Sequence, residues 1–238
     1  MSTKIKGNLY LIPATIGEGP VDKVIPSYNR DIINKIDIYI VEEVRTARRF
    51  LKKAGIIKPI DELTFFVLNE HSKDHEITSY LDSVKEGKHI GLLSEAGVPC
   101  IADPGAAIVE IAQQNNIKVI PLVGPSSIFM ALMASGFNGQ QFRFLGYLPV
   151  DRKLREDKLR EIEKDIYQKN ETQIFIETPY RNNQLIESIL TICRKETMLC
   201  IATDVSLDTE IIKSKSVSQW KKSIPDVHKR ATVFLLYK

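Results

Sequence analysis

The sequence predicts an α/β protein in two parts, of which the first is a Rossmann-like, doubly wound parallel sheet. Short apolar runs alternate with amphipathic segments along the 238 residues, as strands and helices alternate in α/β folds. The apolar runs of the first half are nearly continuous, which is typical of parallel strands covered on both faces. After residue 122 the predicted strands come closer together, which indicates a mixed sheet.

Five apolar runs predict the strands of a first domain over residues 1–122. They lie at 8–12, 37–41, 63–68, 89–93 and 118–122. Helical spacing predicts helices between them at 46–54, 73–86 and 106–115. In the second of these helices Ile77, Tyr80, Leu81 and Val84 recur at the spacing of a single helical face.

A second α/β domain with a mixed sheet is predicted over residues 123–238. Its helices are expected at 128–135, 151–169, 182–193 and 217–222, and its strands at 142–147, 173–177, 198–202, 210–213 and 232–237. The helix at 151–169 is highly charged, which we interpret as a solvated face. The alternative is RNA contact by Arg152, Lys153, Arg155 and Lys158.

Composition narrows the class of protein. With 33 basic and 30 acidic residues the net charge is +3, which permits an RNA substrate without arguing for one. The cysteines (Cys100, Cys193 and Cys200) form no CxxC pair, so we expect neither disulfides nor zinc, and we expect Cys193 and Cys200 to be buried. Without a signal peptide or a membrane-length apolar run, a soluble cytoplasmic protein is predicted, with no membrane and no metal.

The most informative stretch is 92–105, LLSEAGVPCIADPG, which directly follows a predicted strand. In open α/β sheets ligands bind beyond the carboxyl ends of strands. Gly97 and Gly105 would let the backbone approach a ligand closely, and Glu95 and Asp103 could accept hydrogen bonds from hydroxyl or ammonium groups. The alternative is a plain strand-to-helix connection in which Asp103-Pro104 caps the next helix.

Two common nucleotide-binding patterns are absent. The sequence has no GxxxxGK[ST] loop, and its first strand is not followed by GxGxxG. A dinucleotide cofactor is therefore disfavoured, and so is the commonest methyltransferase fold, which carries a glycine-rich loop after its first strand.

Seven motifs in series resemble a known family. In order they read GNLYLIPATIG, VEEVRTARRFL, NEH, LLSEAGVPCIADPG, VIPLVGPSS, FLGYLP and IFIETPYR, from residue 7 to about residue 190. Their order and spacing resemble the ribosomal RNA small-subunit methyltransferase I family of the tetrapyrrole (corrin/porphyrin) methylases. The resemblance implies a two-domain tetrapyrrole-methylase-like fold, S-adenosyl-L-methionine in the cleft between the domains, a homodimer, and small-subunit (16S) rRNA as the substrate.

The resemblance also implies which residues bind the cofactor. Pro13 would line the mouth of the site, and Ser126 and Ser127 would offer donors to the methionine carboxylate, a role that helix capping by the same serines does not exclude. The other implied cofactor positions are Ser94, Glu95, Ala96, Gly97, Ile101, Asp103, Pro104, Gly105, Glu177 and Thr178.

Substrate contacts are implied at the ends of two other strands. The positions are Glu42, Arg45, Thr46, Tyr180 and Arg181. Arg45 would bind an RNA phosphate, with an ion pair to Glu42 or Glu43 as the alternative. Tyr180 would stack on adenine or on a flipped base, or else be an ordinary partly buried tyrosine.

Methyl transfer from a sulfonium requires positioning of donor and acceptor and removal of a proton, but no metal or covalent nucleophile. For a ribose 2′-hydroxyl the candidate bases are Glu43, Glu70 and His71, of which His71 has a structural role as its alternative. The resemblance therefore implies methylation of a ribose 2′-hydroxyl of small-subunit rRNA. Methylation of a tetrapyrrole-like small molecule and a catalytically silent, methylase-fold binding protein are the alternatives.

The chain departs from the residues usual in the family at several positions. They are Glu95, Val44, Tyr180 and the segment 203–207. These departures affect the expected identity of the substrate more than the expected binding of the cofactor.

Overall fold

A computed structural model describes residues 7–69, 72 and 77–238. The chain divides into two compact units, Met1–Ser126 and Ser127–Lys238. The sequence placed the domain boundary at residue 122, at the start of the same turn. Among the described residues, no helix is both long and apolar enough to cross a membrane.

The first unit contains a five-stranded sheet in which every neighbouring pair of strands is parallel. Its strands are β1 (Asn8–Ile12), β2 (Ile38–Val41), β3 (Thr64–Val67), β4 (Ile90–Leu93) and β5 (Lys118–Pro121). They lie in the order β3-β2-β4-β1-β5. All residues of β2 and β4 are buried, which explains why these strands read as continuous apolar runs.

Helices cover both faces of this sheet. They are α1 (Ser27–Ile33), α2 (Val44–Lys53), α3 (Ala106–Gln114) and a 3₁₀ helix (Thr78–Glu86). On one face Ile33 of α1 and Phe50 of α2 pack with Tyr39 of the sheet. On the other face Val84 of the 3₁₀ helix and Ile108 of α3 pack in a second cluster. The predicted doubly wound architecture is therefore confirmed.

The helices of this unit differ from the prediction in two places. Of the helix expected at 73–86, residues 73–76 lie outside the described residues, and Thr78–Glu86 forms a 3₁₀ helix. Apolar spacing does not distinguish the two helix types, and this segment is rich in Thr, Ser, Tyr and Asp, which are mediocre α-helix formers. The sequence did not predict α1, which has only seven residues and begins directly after Pro26.

The second unit contains the predicted mixed sheet. Its strands are β6 (Phe142–Tyr147), β7 (Thr172–Ile176), β8 (Met198–Thr203), β9 (Ile211–Ser216) and β10 (Thr232–Tyr237), in the order β6-β7-β10-β8-β9. The β6–β7 pair is parallel and the other pairs are antiparallel. Its helices are α4 (Ser127–Ser135), α5 (Arg152–Lys169), α6 (Asn182–Ile192) and α7 (Val217–Trp220).

The charge run on α5 is largely neutralised within the helix. Arg152 pairs with Glu156 and Lys158 pairs with Glu161, at 2.9 and 2.8 Å. Arg155 is only 5% exposed, and its guanidinium donates to Ser188 Oγ and to the Val150 carbonyl. The exposed ion pairs support the interpretation of a solvated face, whereas Arg155 is buried and does not belong to that face.

All three cysteines are free thiols. Cys193 and Cys200 are buried, as the sequence predicted. Burial raises the pKa of the Cys193 thiol to about 12, with a smaller contribution from the charge of Glu163. Burial, assisted by Asp103, likewise raises the pKa of Cys100 to about 11.

Candidate active site

The loops that leave β1 and β4 meet at the carboxyl edge of the first sheet. Strand register places Ile12 beside Leu93, so the two strands end at the same level. Beyond them, Ala14 N–H donates to the Gly97 carbonyl at 2.9 Å. From β1 the chain continues to α1 on one face, and from β4 it continues to α3 on the other. Ligands of open α/β sheets bind at such a switch point.

The segment after β5 packs directly onto these two loops. A Cβ on Gly124 would lie 2.2 Å from Cγ of Pro13, so only glycine allows this approach. Gly97 has a φ of +71°, and a Cβ there would lie 3.2 Å from the Pro125 carbonyl oxygen. Pro13, Gly97 and Gly124, which lie far apart in sequence, are therefore packed closely together. The two glycines fix how the loops after β1, β4 and β5 pack against one another.

Asp103 holds the second half of the β4 loop. Its Oδ1 accepts hydrogen bonds from the backbone N–H groups of Cys100 and Gly105, each at 2.8 Å. Between these residues Cys100 and Ala102 have φ angles of 68° and 60°, a region that is unfavourable for side chains other than glycine. The loop thus has a fixed shape, and it leaves the apolar side chain of Ile101 48% exposed.

Glu95 links the β4 loop to the start of α2. Its Oε1 accepts from the Thr46 hydroxyl at 2.7 Å and from the backbone N–H of Glu43 at 3.2 Å. The sequence assigned Glu95 to the cofactor and Thr46 to the substrate, and the structure bonds the two to each other. The position of this carboxylate at a helix N-terminus is electrostatically favourable.

Of the three candidate bases, Glu70 and His71 lie outside the described residues. Glu43 is exposed at the N-cap of α2, where its Oε1 accepts the backbone N–H of Arg45 at 2.8 Å. Glu42 and Arg45 are also exposed at this edge of the sheet. Glu43 therefore combines two properties, a helix-capping role and accessibility from solvent.

In the second unit, Glu177 follows β7 and has an incompletely satisfied carboxylate. Its side chain is 1% exposed, and Oε1 accepts from Arg181 Nη2 at 2.7 Å and from Thr178 N–H at 2.6 Å. Oε2 is buried and has no hydrogen-bond partner among the described residues. A buried acceptor of this kind calls for a donor from a ligand or a water molecule. Arg181, predicted to bind substrate, is held by this carboxylate.

Tyr180 presents an exposed aromatic ring next to this carboxylate in sequence. It is 68% exposed, so it is not the partly buried tyrosine of the alternative interpretation. Lys229 Nζ lies 5.8 Å from the centre of its ring, and the His228 ring lies edge-on at 6.2 Å. An exposed ring beside a cation suits a nucleobase and its phosphate.

Metal chemistry has no ready site in the parts of the chain that the structure describes. No three His, Cys, Asp or Glu side chains are grouped there as ligands.

Two predicted cofactor residues lie where the two units join in sequence. Ser126 ends the first unit, and Ser127 begins α4 at the start of the second.

Comparison with known proteins identifies the family. The sequence matches the family described as Tetrapyrrole (Corrin/Porphyrin) Methylases over residues 20–219. It is 29% identical to ribosomal RNA small subunit methyltransferase I of Haemophilus influenzae, over 98% of this chain and 80% of that protein. The protein of the same name from Thermotoga maritima is 31% identical over 81% of this chain and 84% of its own length.

Solved structures show the same fold at lower identity. The methyltransferase CobJ superposes with a TM-score of 0.62 at 17% identity, covering 98% of this chain and 94% of that one. Cobalt precorrin-4 methyltransferase, CbiF, superposes with a TM-score of 0.59 at 13% identity, covering 97% and 94%. The chain therefore belongs to the tetrapyrrole (corrin/porphyrin) methylase family, and it is a methyltransferase similar to ribosomal RNA small subunit methyltransferase I.

Proposed function

We propose that this chain is an S-adenosyl-L-methionine-dependent methyltransferase that acts on a ribose 2′-hydroxyl of small-subunit rRNA. The observation that carries the proposal is the similarity to ribosomal RNA small subunit methyltransferase I along 98% of the chain. The likeness spans both units and is not confined to the cofactor loops. A ribosomal substrate places the protein in the cytoplasm.

The first unit fits a methyl donor of this kind. Gly97 and Gly124 let the loops after β1, β4 and β5 pack closely at the switch point of the sheet, and the exposed side chain of Ile101 offers an apolar surface. S-Adenosyl-L-methionine would supply an already activated methyl group when bound. The residues of this unit proposed to hold it are Pro13, Ser94, Glu95, Ala96, Gly97, Ile101, Asp103, Pro104, Gly105 and Ser126.

Residues of the second unit are proposed to complete cofactor binding. Glu177 Oε2 is a buried acceptor that awaits a donor such as a hydroxyl or amino group. Ser127 lies in the first turn of α4, where partial positive charge favours a carboxylate. Thr178, whose N–H bonds to Glu177, holds that carboxylate in place.

The reaction also needs a base for the ribose hydroxyl, and Glu43, Glu70 and His71 are the proposed candidates. General-base catalysis contributes about 10²–10⁴-fold in rate. Glu43→Gln, Glu70→Gln and His71→Ala should therefore be compared in single-turnover methylation at saturating RNA. We expect a loss of at least about 100-fold in one of them.

Glu110→Gln, an exposed carboxylate on α3, is the matched control and should leave the rate unchanged. If all three base variants keep the wild-type rate, the assignment of the base is wrong even though the enzyme class stands.

Substrate contact is proposed for Glu42, Arg45, Thr46, Tyr180 and Arg181. For Tyr180 the support is its exposed ring beside Lys229. Base stacking on an aromatic side chain contributes about 1–3 kcal/mol, so Tyr180→Ala should weaken RNA binding by roughly 5- to 150-fold. Tyr147→Ala, another exposed tyrosine of the same unit, is the control.

The experiment that tests the proposed function is mass spectrometry of small-subunit rRNA from a strain that lacks the gene. We expect one methyl group to be lost at a cytidine and to return on complementation. An unchanged spectrum would overturn the rRNA proposal. Calorimetry would then separate the alternatives, because a small-molecule methylase binds S-adenosyl-L-methionine and a silent binding protein does not.

The proposed homodimer is supported by exposed apolar side chains on the second unit. Phe129 and Met133 of α4 are 52% and 82% exposed, and the rings of Phe129 and Phe142 lie 5.9 Å apart. Contiguous apolar surface of this kind marks association sites. Sedimentation should show a dimer for the wild type and a monomer for Met133→Lys, and a wild-type monomer would refute the proposal.

A further inference from the structure

Helix α2 carries a face of five cations without a single acid. Arg45, Arg48, Arg49, Lys52 and Lys53 are all exposed, whereas Ala47, Phe50 and Leu51 are buried against the sheet. At 3.6 residues per turn the five basic residues fall within a sector of about 140° along about 12 Å of helix. We call this surface the α2 basic face.

The other highly charged helix, α5, differs from α2 in how its cations are paired. Its cations find acids on the same helix, as in the pairs Arg160–Asp157 at 2.8 Å and Lys169–Asp165 at 2.9 Å. The sequence of α2, VRTARRFLKK, offers no such partner. The α2 basic face therefore keeps a net positive field unless other segments supply carboxylates.

Asp61 is one such carboxylate, with its Oδ1 3.8 Å from Arg48 Nη1. A second is Glu18, from the loop after β1. Its Oε2 contacts Lys53 Nζ, and its Oε1 lies 3.9 Å from Arg49 Nη1. All three side chains are substantially exposed, at 76% for Glu18, 54% for Arg49 and 45% for Lys53. A single carboxylate shared by two cations occupies the position that a phosphate group would take.

These residues border a groove that leads to the candidate active site. The groove has a volume of about 160 Å³, and its lining includes Thr15, Gly17, Phe50, Thr46 and Glu95. Glu95 and Thr46 are the pair that joins the β4 loop to α2. A strand bound along the α2 basic face would thus pass beside the residues at the carboxyl edge of the sheet.

We infer that the α2 basic face binds the sugar-phosphate backbone of the substrate RNA, and that Glu18 occupies a phosphate position until the RNA displaces it. This inference rests on the proposed rRNA substrate and names the surface that holds it. Phosphate contacts fix the position of a protein on nucleic acid without reading its sequence. Exposed ion pairs are weak, so a strand with several phosphates can replace Glu18.

The test is salt-dependent binding of the full chain to a small-subunit rRNA transcript, measured by fluorescence anisotropy. For single strands the slope of log K against log salt is about −0.7 per phosphate contact. The double variant Arg49→Ala/Lys53→Ala should bind more weakly, with a slope shallower by about 0.7, because the two cations share one phosphate position. The control Arg160→Ala/Lys169→Ala, with the same change in charge on α5, should match the wild type.

Weaker binding by the double variant could also result from misfolding, so a variant that is expected to bind more tightly is tested as well. Glu18→Gln removes the competing carboxylate, so it should bind the transcript more tightly than the wild type. Identical affinities and slopes for Glu18→Gln, Arg49→Ala/Lys53→Ala and the wild type would overturn the inference. Weaker binding of the double variant to intact small subunits, with unchanged binding to the naked transcript, would indicate a protein partner and would also overturn it.

Failure of the proposed function gives a different pattern. In that case the wild type itself neither binds the transcript with a salt-dependent affinity nor methylates it. If the wild type methylates rRNA while the α2 variants bind it normally, the proposed function stands and only the α2 basic face is excluded. Calorimetry with S-adenosyl-L-methionine should give the same affinity for all of these variants.

Discussion

Replacement of Asp103 by alanine removes the acceptor that holds the loop between Cys100 and Gly105. Oδ1 of Asp103 accepts two backbone N–H groups at 2.8 Å each. The same loop contains Cys100 and Ala102 with φ angles of 68° and 60°. Left-handed backbone at residues other than glycine is unfavourable by roughly 1–2 kcal/mol each, so these two bonds oppose a real tendency of the loop to relax.

The expected size of the effect follows from these two bonds. A hydrogen bond to a charged group contributes about 1.5–3 kcal/mol, and the half-exposed position of Asp103 favours the lower limit. Asp103→Ala should therefore lower the free energy of unfolding by about 3 kcal/mol. For a chain of this length that corresponds to a fall in Tm of roughly 6–12 °C. Asp103→Asn keeps an acceptor oxygen but loses the charge, so about half of the effect is expected.

Thermal denaturation and calorimetric titration with S-adenosyl-L-methionine test the reasoning together. Both Tm and affinity should decrease from wild type to Asp103→Asn to Asp103→Ala. Asp31→Ala, on the exposed side of α1, is the control and should change stability by less than about 0.5 kcal/mol. An unchanged Tm for Asp103→Ala would refute the structural argument. A lowered Tm with unchanged affinity for S-adenosyl-L-methionine would mean that the loop does not contribute to the proposed cofactor site.

Three further substitutions or measurements probe separate features of the structure. Gly124→Ala places a Cβ 2.2 Å from Cγ of Pro13, so it should destabilise the protein by about 1–3 kcal/mol in urea denaturation. Burial raises the pKa of Cys193 to about 12, so its thiol is protonated at pH 8. The thiol should therefore react with a disulfide reagent only after unfolding, which thiol titration with and without urea would show. Arg181→Leu leaves the buried Glu177 carboxylate unpaired and should reduce stability by about 3 kcal/mol, whereas adding Glu177→Gln should restore much of that loss in a double-mutant cycle.

Most of the strands were predictable because the two sheets bury them. In β2 and β4 every residue is buried, so the chain has to present a continuous apolar run there. Short helices were harder to predict, because α1 buries few residues and the 3₁₀ helix Thr78–Glu86 has the apolar spacing of an α-helix. Local spacing reports which residues face the core, but it does not report the hydrogen-bond pattern of the backbone.

The site residues divide in the same way. The sequence could propose Gly97 and Asp103 as site residues, because a loop that follows a buried strand and is rich in Gly and Pro is typical of ligand binding. The contact of Glu18 with Lys53 was not recognisable, because 35 residues separate the two side chains and an exposed ion pair leaves no periodic signal. The only local indication on α2 was its run of five cations without an acid.

The sequence by itself determined the family, the alternation of strands and helices, and the loops that are proposed to contact the ligand. These properties depend on local burial and on motifs a few residues long. Tertiary structure alone decided that β4 lies between β1 and β2, which brings Gly97 to Ala14 and Glu95 to Thr46. The order of strands in a sheet depends on which helices cover which face and on long-range backbone pairing. The residue pattern of a single segment determines neither of these.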